Sequence, residues 1–219
     1  MTHSEDPAMP DVTYRPFRPD VAATVRRIIG EAFFIHRYLR SPRLLRSGLE
    51  VYLRGCLQGS TFTRVAVRDG GVIGVIMGRV AGGRGVGGAR NVVGMWWHMA
   101  RLAVLGFRER RAIREYLMFG PIYRRLRARG AATLTEELTL FAVAEAARGA
   151  GAGGALYGAF LDYLREHDRS DFYLYTDSLC TVGFYENRGM VRAAEEPCTV
   201  HLDGEPAVMD VYLYTGTAG

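Results

Sequence analysis

The sequence predicts one α/β domain with a mixed, mostly antiparallel sheet flanked by helices. Three patterns predict it. Alternating apolar and polar residues on both sides of a turn at 69–71 indicate a β-hairpin. A strand, a glycine-rich turn, a helix and another strand follow each other over 132–176, which is typical of a parallel crossover. A second hairpin pattern around residues 203–204 closes the chain of 219 residues, a length that suits one large domain.

The first half of the chain supplies the start of the sheet and two helices. Asp20 is a suitable N-cap, because its carboxylate can accept hydrogen bonds from the first free N–H groups of a helix. Ser41 followed by Pro42 marks a second helix start. The predicted elements are a strand at 12–17, helices at 21–32 and 42–57, and strands at 61–68 and 72–80.

The second half contains a helical insert and the rest of the sheet. Residues 81–90 are glycine-rich and predict a loop, and 91–130 predict helix, so an insert of about 81–130 lies between the third and fourth strands. The later predicted elements are a strand at 132–143, a turn at 149–154 followed by a helix, a strand at 172–176, a short helix at 181–187, and strands at 191–202 and 208–214. We expect residues 1–10 to be a flexible N-terminus and 11–219 to form the domain.

Arginine supplies all 28 basic residues, so the chain has no lysine. Mechanisms that need a Schiff-base or P-loop lysine are therefore excluded. The net charge of +5 is unevenly placed, because the insert holds eleven arginines against two glutamates, a net +9. This segment is a candidate surface for an anionic ligand or for nucleic acid.

The cysteines and the apolar segments indicate the cellular compartment of the protein. The three cysteines show no CxxC spacing, and the first ten residues lack the order of a signal peptide. The most apolar window, 92–107, is interrupted by His98 and Arg101 and is shorter than a membrane span. We expect a reduced, cytoplasmic protein with no membrane partner.

The glycine-rich turn is the motif that carries chemistry. Backbone N–H groups in such a turn, together with a helix N-terminus, form an anion site suited to a pyrophosphate. Gly149, Gly151 and Gly154 satisfy the dinucleotide pattern G-x-G-x-x-G, and Asp177 at the end of the next strand could bind a ribose. The preceding hairpin and the short remainder of the chain disfavour that interpretation. The alternative pattern is R-x-x-G-x-G.

That second pattern, with the segment after the next strand, resembles the GNAT (GCN5-related N-acetyltransferase) superfamily. Arg148, Gly151 and Gly153 match its pyrophosphate motif, and residues 176–180 and 183–190 resemble its "N…FYE..GF" segment. Ser178 stands where many members have Asn, and Met190 replaces the usual Phe. The resemblance implies an N-acyltransferase, most simply an N-acetyltransferase, that moves the acetyl group of acetyl-CoA directly to a primary amine of a small molecule or peptide.

The resemblance also implies which residues bind acetyl-CoA. The end of the central strand would hydrogen-bond the pantetheine arm, the turn would hold the pyrophosphate, and Ser178 would offer a weaker contact than Asn. The implied set is Phe141, Ala142, Val143, Arg148, Gly149, Ala150, Gly151, Ala152, Gly153 and Ser178. No metal is expected, because the five histidines show no H-x-x-x-H spacing.

Two residues are candidates for proton transfer. Tyr185 matches the family's tyrosine, and a phenol arrives protonated at neutral pH; a tyrosine that merely packs at a helix end is the alternative. Glu137, on an otherwise apolar strand, is the candidate base. By strict alternation it shares a face with Thr139 and Phe141, unless a bulge intervenes. A solvated carboxylate, the neighbouring Glu136 and a water relay remain open.

The sequence leaves alternatives open for the role of the insert and for the class of protein. The insert is either a solvated helix pair or a lid over the acceptor site or a homodimer contact, and its Trp96–Trp97 pair favours packing against the core. Nucleic acid is disfavoured because no recognised module accompanies the arginines. The rival function is a non-catalytic CoA-binding or nucleic-acid-interacting domain.

Overall fold

Seven strands form one sheet in the computed structural model of the chain, which describes residues 12–107, 110–149 and 151–219. The strands are β1 (Thr13–Arg15), β2 (Phe62–Arg68), β3 (Gly71–Arg79), β4 (Glu137–Val143), β5 (Asp171–Asp177), β6 (Val191–Leu202) and β7 (Glu205–Thr217). Their order across the sheet is β1-β2-β3-β4-β5-β7-β6, and only β4 and β5 pair in parallel. The predicted mixed, mostly antiparallel α/β fold is confirmed.

Helices cover both faces of this sheet. They are α1 (Ala22–Ala32), α2 (Ile35–Tyr38), α3 (Pro42–Gly59), α4 (Ala89–Leu105), α5 (Arg110–Gly130), α6 (Ala152–Arg165) and α7 (Gly183–Glu186). Helix α6 buries Leu156 and Phe160 against one face, and α1 and α3 pack on the other face around Ile28 and Leu44. Within the described residues, no helix combines the length and the apolar content needed to cross a bilayer.

The insert folds as two helices that pack on the rest of the domain. Helix α4 lies along α3, and α5 lies over β6 and β7. Leu126 of α5 is fully buried in a cluster with Tyr173 and Leu213 of the sheet. Helices α4 and α5 thus lie in the segment for which the sequence predicts a helical insert.

One irregularity in β4 decides which way its side chains point. Leu138 pairs with Gly78 and Leu140 pairs with Met77, so Thr139 is an extra residue without a partner, a β-bulge. Leu138 consequently packs on the α6 side and Leu140 on the α1 and α3 side. Because the bulge adds one residue, the alternation of side chains before it is opposite to that after it. Glu137 and Phe141 therefore point to opposite faces of the sheet.

Three local expectations are corrected. Asp20 is not the N-cap of α1; it lies in a short 3-10 turn before the helix and pairs with Arg15 at 3.2 Å. The fourth strand begins at Glu137 rather than at 132, because Arg127 binds the Leu134 carbonyl oxygen and the chain turns there. Trp96 and Trp97 do not pack against the core but are exposed. The expectation for residues 1–10 lies outside the described residues.

Candidate active site

The parallel neighbours β4 and β5 separate almost as soon as they begin. Their ladder holds one residue pair, Glu137 with Tyr173. A cavity of about 470 Å³ lies beyond that pair, lined by the ends of both strands, the glycine-rich turn, α7 and the end of α1. Because the two strands no longer pair there, backbone N–H and C=O groups at the end of β4 are available to a bound molecule.

The glycine-rich turn forms what we call the glycine side of this opening. Gly149 and Gly151 have φ angles of +84° and +76°, which glycine adopts without strain. Gly151 is the N-cap of α6, and among the described residues the first N–H to bond back is that of Ala155, to the Gly151 carbonyl at 3.1 Å. The N–H groups of the first turn have no hydrogen-bond partner among the described residues, so they can hold an anion, and the helix dipole adds positive charge.

Two arginines add charge to the glycine side. Arg148 is exposed at the start of the turn and lines the cavity. Arg188 lines the same cavity from just beyond α7. Its guanidinium lies 3.6 Å from the centre of the Phe184 ring and donates to the Phe184 carbonyl oxygen at 3.0 Å. A methyl group at Gly154 would lie 3.5 Å from Arg188 Nη2, so this cation stands beside the turn.

Tyr185 is buried at the wall of the cavity. Its ring lies against Phe141, Phe184 and Tyr214. Its hydroxyl has no hydrogen-bond partner among the described residues, which leaves it available to a bound molecule. Burial raises the pKa of Tyr185 above its ordinary value, and the neighbouring Cys180 raises it further. The phenol is therefore protonated at any pH near neutrality.

The segment after β5 differs from the sequence-based expectation. The Ser178 hydroxyl accepts the Asp210 N–H at 3.2 Å and lies outside the cavity wall, where Thr176, Cys180 and Thr181 are found instead. Asp177 does not face a ribose site, because its Oδ1 accepts the Leu179 N–H at 2.9 Å. The mostly antiparallel sheet also excludes the dinucleotide-binding fold.

Cys180 reaches the cavity but is a poor nucleophile. Burial raises the pKa of this thiol to about 12, and the Asp177 carboxylate contributes to the rise. A thiol with that pKa is almost entirely protonated at neutral pH. A covalent role for Cys180 is therefore disfavoured.

Glu137 lies on the other side of the sheet from the glycine-rich turn. Its Oε2 accepts from Arg79 Nη2 at 2.8 Å and from the Tyr173 hydroxyl at 2.9 Å. The competing Glu136 is buried and accepts from the Thr135 hydroxyl at 2.8 Å. Neither carboxylate lines the 470 Å³ cavity.

A connected group of tyrosines extends from Tyr173, the hydrogen-bond partner of Glu137, and we call it the tyrosine side of the opening. It comprises Tyr52 of α3, Tyr116 and Tyr123 of α5, and Tyr173 and Tyr175 of β5. The Tyr123 and Tyr175 rings stack at 4.3 Å, and the Tyr175 hydroxyl donates to the Tyr123 carbonyl oxygen at 3.0 Å. Burial raises the pKa of Tyr173 to about 12 and that of Tyr52 well above its ordinary value. Helix α5 of the insert thus covers this side.

The structure brings together most of the residues predicted to bind the cofactor. Seven line one cavity with Tyr185: Phe141, Ala142, Val143, Arg148, Gly149, Gly151 and Gly153. Ala152 is buried beneath the turn, and Ala150 lies outside the described residues. Arg188, Phe33 and Phe34 were missed. Phe34 has a φ of +51°, a strained conformation for an aromatic residue that no sequence pattern reveals.

The described residues contain no cluster of three His, Cys, Asp or Glu side chains that could hold a metal ion. The donors and cations of the cavity instead suit a long, anionic organic molecule. The glycine side offers free N–H groups and two guanidiniums, while rings of Phe141 and Phe184 form an apolar wall between them and Tyr185. This arrangement can bind a phosphate at one end and deliver a proton at the other.

Solved structures with similar architecture cover nearly the whole chain. A protein of Desulfovibrio desulfuricans assigned to the GNAT family of acetyltransferases superimposes with a TM-score of 0.54 at 16% identity, over 95% of this chain and 100% of its own. An N-acetyltransferase of Staphylococcus aureus Mu50 gives 0.54 at 12% identity, over 95% and 99% of the two chains. The ribosomal-protein-S18-alanine N-acetyltransferase of Escherichia coli gives 0.52 at 12%, over 95% of each.

No protein-family model matches the sequence, and no curated protein matches it. The likeness to the solved structures is therefore one of fold, over about 95% of this chain. The chain has the fold of the GNAT acetyltransferases.

Proposed function

We propose that the chain is a GNAT-type N-acyltransferase that moves an acetyl group from acetyl-CoA directly to a primary amine. One observation carries the proposal. A turn with free N–H groups at the start of α6 opens onto a cavity that continues past the unpaired end of β4 to the Tyr185 phenol. The anion site suits a pyrophosphate, and the free backbone edge beside it suits an amide-bearing arm. The proton donor at the far end suits a thioester, whose sulfur needs a proton when it leaves.

The glycine side would hold the donor. N–H groups at the start of α6 would bind the pyrophosphate, with Arg148 and Arg188 adding charge. The free edge of β4 at Phe141 to Val143 would pair with the amides of the pantetheine arm as a strand would. Gly149 and Gly151 leave open space beside the turn, and a larger residue there would occupy the phosphate position.

The chemistry requires no covalent intermediate on the protein. The amine nitrogen forms a bond to the thioester carbon while the carbon–sulfur bond breaks, and the sulfur takes a proton from the Tyr185 phenol. The nitrogen loses a proton to solvent or to Glu137, and a proton returns to the phenolate through solvent. The raised pKa of Tyr185 keeps the donor protonated before each turnover.

The tyrosine side would receive the acceptor amine. Tyrosine rings attract an ammonium group through their faces and pack against an apolar body through their edges. Because α5 supplies Tyr116 and Tyr123, the insert would act as the wall of the acceptor site. This supports the lid interpretation of the insert over that of a freely solvated helix pair.

An amine panel tests the proposal. The full chain is mixed with acetyl-CoA and single amines: polyamines, aromatic amines, amino acids and peptides with free N-termini. Thiol release and the mass of the acceptor are followed together. Release of CoA with an equal amount of N-acetylated amine supports the proposal. Tight acetyl-CoA binding without turnover on any amine would favour the rival, a non-catalytic CoA-binding domain.

A further inference from the structure

Helix α4 presents an apolar face to the outside of the protein. Val93, Trp96, Trp97 and Val104 are 70%, 65%, 62% and 75% exposed, and Phe107 just after the helix is 68% exposed. Their spacing places them on one side of the helix, together with the exposed Ala100. We call these six residues the α4 surface. A run of this size, including both tryptophans of the chain, is unusual on a protein that works alone in water.

Three polar side chains of α4, those of Asn91, His98 and Arg101, point the other way. Asn91 donates to the Arg54 carbonyl oxygen of α3 at 2.9 Å. His98 and Arg101 are half-buried, and one ring or guanidinium nitrogen of each is buried without a partner among the described residues. The helix therefore places groups that cost energy to bury on its inner side and keeps its tryptophans outside. That arrangement indicates a partner for the outer side.

The exposed charges that the structure describes on α4 and at the start of α5 are of one sign. Arg90 is exposed on the helix itself, and Arg110, Arg111 and Arg114 are exposed at the start of α5. The Arg110 guanidinium lies over the Phe107 ring at 4.2 Å. The one acidic residue in the described parts of the insert is Glu115, which is buried and bound to His201 at 2.7 Å.

We propose that the α4 surface docks the protein on a membrane rich in anionic lipids. Tryptophan prefers the interface between headgroups and acyl chains, and arginines beside it bind the phosphates of anionic lipids. A second copy fits less well, because a two-fold contact would bring the exposed arginines of the two copies, Arg90, Arg110, Arg111 and Arg114, close together. Peripheral docking needs no membrane span, and the proposal does not depend on the transfer activity.

Tryptophan fluorescence reads the proposed contact directly, since Trp96 and Trp97 are the two tryptophans of the chain. The full chain is titrated with vesicles of phosphatidylcholine alone and with vesicles of equal parts phosphatidylcholine and phosphatidylglycerol. We expect the emission to shift to the blue with the anionic vesicles and to stay unchanged with the neutral ones. Raising the salt concentration reverses the shift, because the arginine contribution is screened.

Vesicle flotation with variants provides the second measurement. Trp96→Gln with Trp97→Gln lowers the bound fraction at least about tenfold, and Arg90→Glu lowers it on anionic vesicles. Val208→Gln removes an apolar residue that is 76% exposed at the far hairpin and leaves flotation unchanged. The proposal is overturned if the wild-type emission does not change with anionic vesicles. It is also overturned if the double variant floats with the vesicles as the wild type does. If the emission is already blue-shifted without vesicles, and this shift is lost when a dimer dissociates on dilution, the α4 surface binds a second copy of the chain instead.

Discussion

The two sides of the opening between β4 and β5 are built in different ways. The glycine side comes from two short segments, 141–154 and 176–188, in which backbone N–H groups and nearby arginines do the binding. The tyrosine side is assembled from α3, α5, β4 and β5, which are far apart in the sequence. Under the proposed function, the backbone would recognise the donor, whereas scattered side chains would recognise the acceptor and could vary without altering the donor site.

The largest effect should come from Tyr185, where the two sides meet. Tyr185→Phe keeps the ring contacts with Phe141 and Tyr214 but removes the proton donor, so kcat falls by roughly 10²–10⁴-fold while acetyl-CoA affinity stays constant. Because the pKa of Tyr185 is raised, the wild-type rate shows no alkaline loss up to about pH 10. Steady-state kinetics measure kcat and its pH dependence, and calorimetry measures the acetyl-CoA affinity.

Tyr157→Phe is the matched control, because Tyr157 is buried in the same aromatic cluster but does not line the cavity. It should leave kcat unchanged. An unaltered kcat in Tyr185→Phe, with chemistry shown to limit turnover, would remove Tyr185 from the mechanism.

The next effect should be confined to the glycine side. Gly151→Val places a side chain in the open space of the anion site, and acetyl-CoA affinity measured by calorimetry falls at least tenfold, about 1.4 kcal/mol. Gly70→Val is the control, because Gly70 has nearly the same φ, +74° against +76°, and equally open surroundings in a distant turn. Normal binding by a folded Gly151→Val would contradict the assignment of the turn.

A smaller effect is expected on the tyrosine side. Glu137→Gln should lower kcat by about tenfold, below the usual range for a positioned base because Arg79 already holds the carboxylate. The loss should be greatest at low pH, where the amine most needs deprotonation, and the acetyl-CoA affinity should not change. A loss that is the same at every pH would point to a water relay, and a larger loss in Glu136→Gln would transfer the role to that residue.

The smallest effect should come from Arg188. Arg188→Gln removes an exposed cation from beside the turn, so the acetyl-CoA dissociation constant rises about two- to fivefold, equivalent to about 0.4–1 kcal/mol, and the difference shrinks at high salt. Arg165→Gln at the opposite end of α6 is the control. Equal affinities for wild type and Arg188→Gln at low salt would show that Arg188 only stacks on Phe184.

The sequence was informative wherever a local rule determines the geometry. The turn at 149–154 could be predicted because positive φ angles and close approach of a ligand both require glycine, and the hairpin at 69–71 for the first of these reasons. The positions of the strands along the chain could be predicted from the alternation of apolar and polar residues. The orientation of Glu137 could not be predicted, because it depends on a bulge that no residue type signals.

Tertiary packing decided the rest. The pattern of α4 shows that it is amphipathic but not which side faces the core, and the structure turns Trp96 and Trp97 outward. Tyr52 and Tyr123 are separated by most of the insert, so no spacing rule could unite them. Arg188 lay inside a recognised segment, but its position beside the cavity depends on its stacking over Phe184.

The proposed reaction requires donor and acceptor to occupy the two sides of one opening at the same time. Initial-rate kinetics test it most directly, with acetyl-CoA and the best amine varied against each other. Direct transfer requires both to be bound together, so double-reciprocal plots should intersect. Parallel lines would indicate an acyl-enzyme that forms before the amine binds. That result would contradict the account and transfer attention to Cys180, the thiol at the cavity wall.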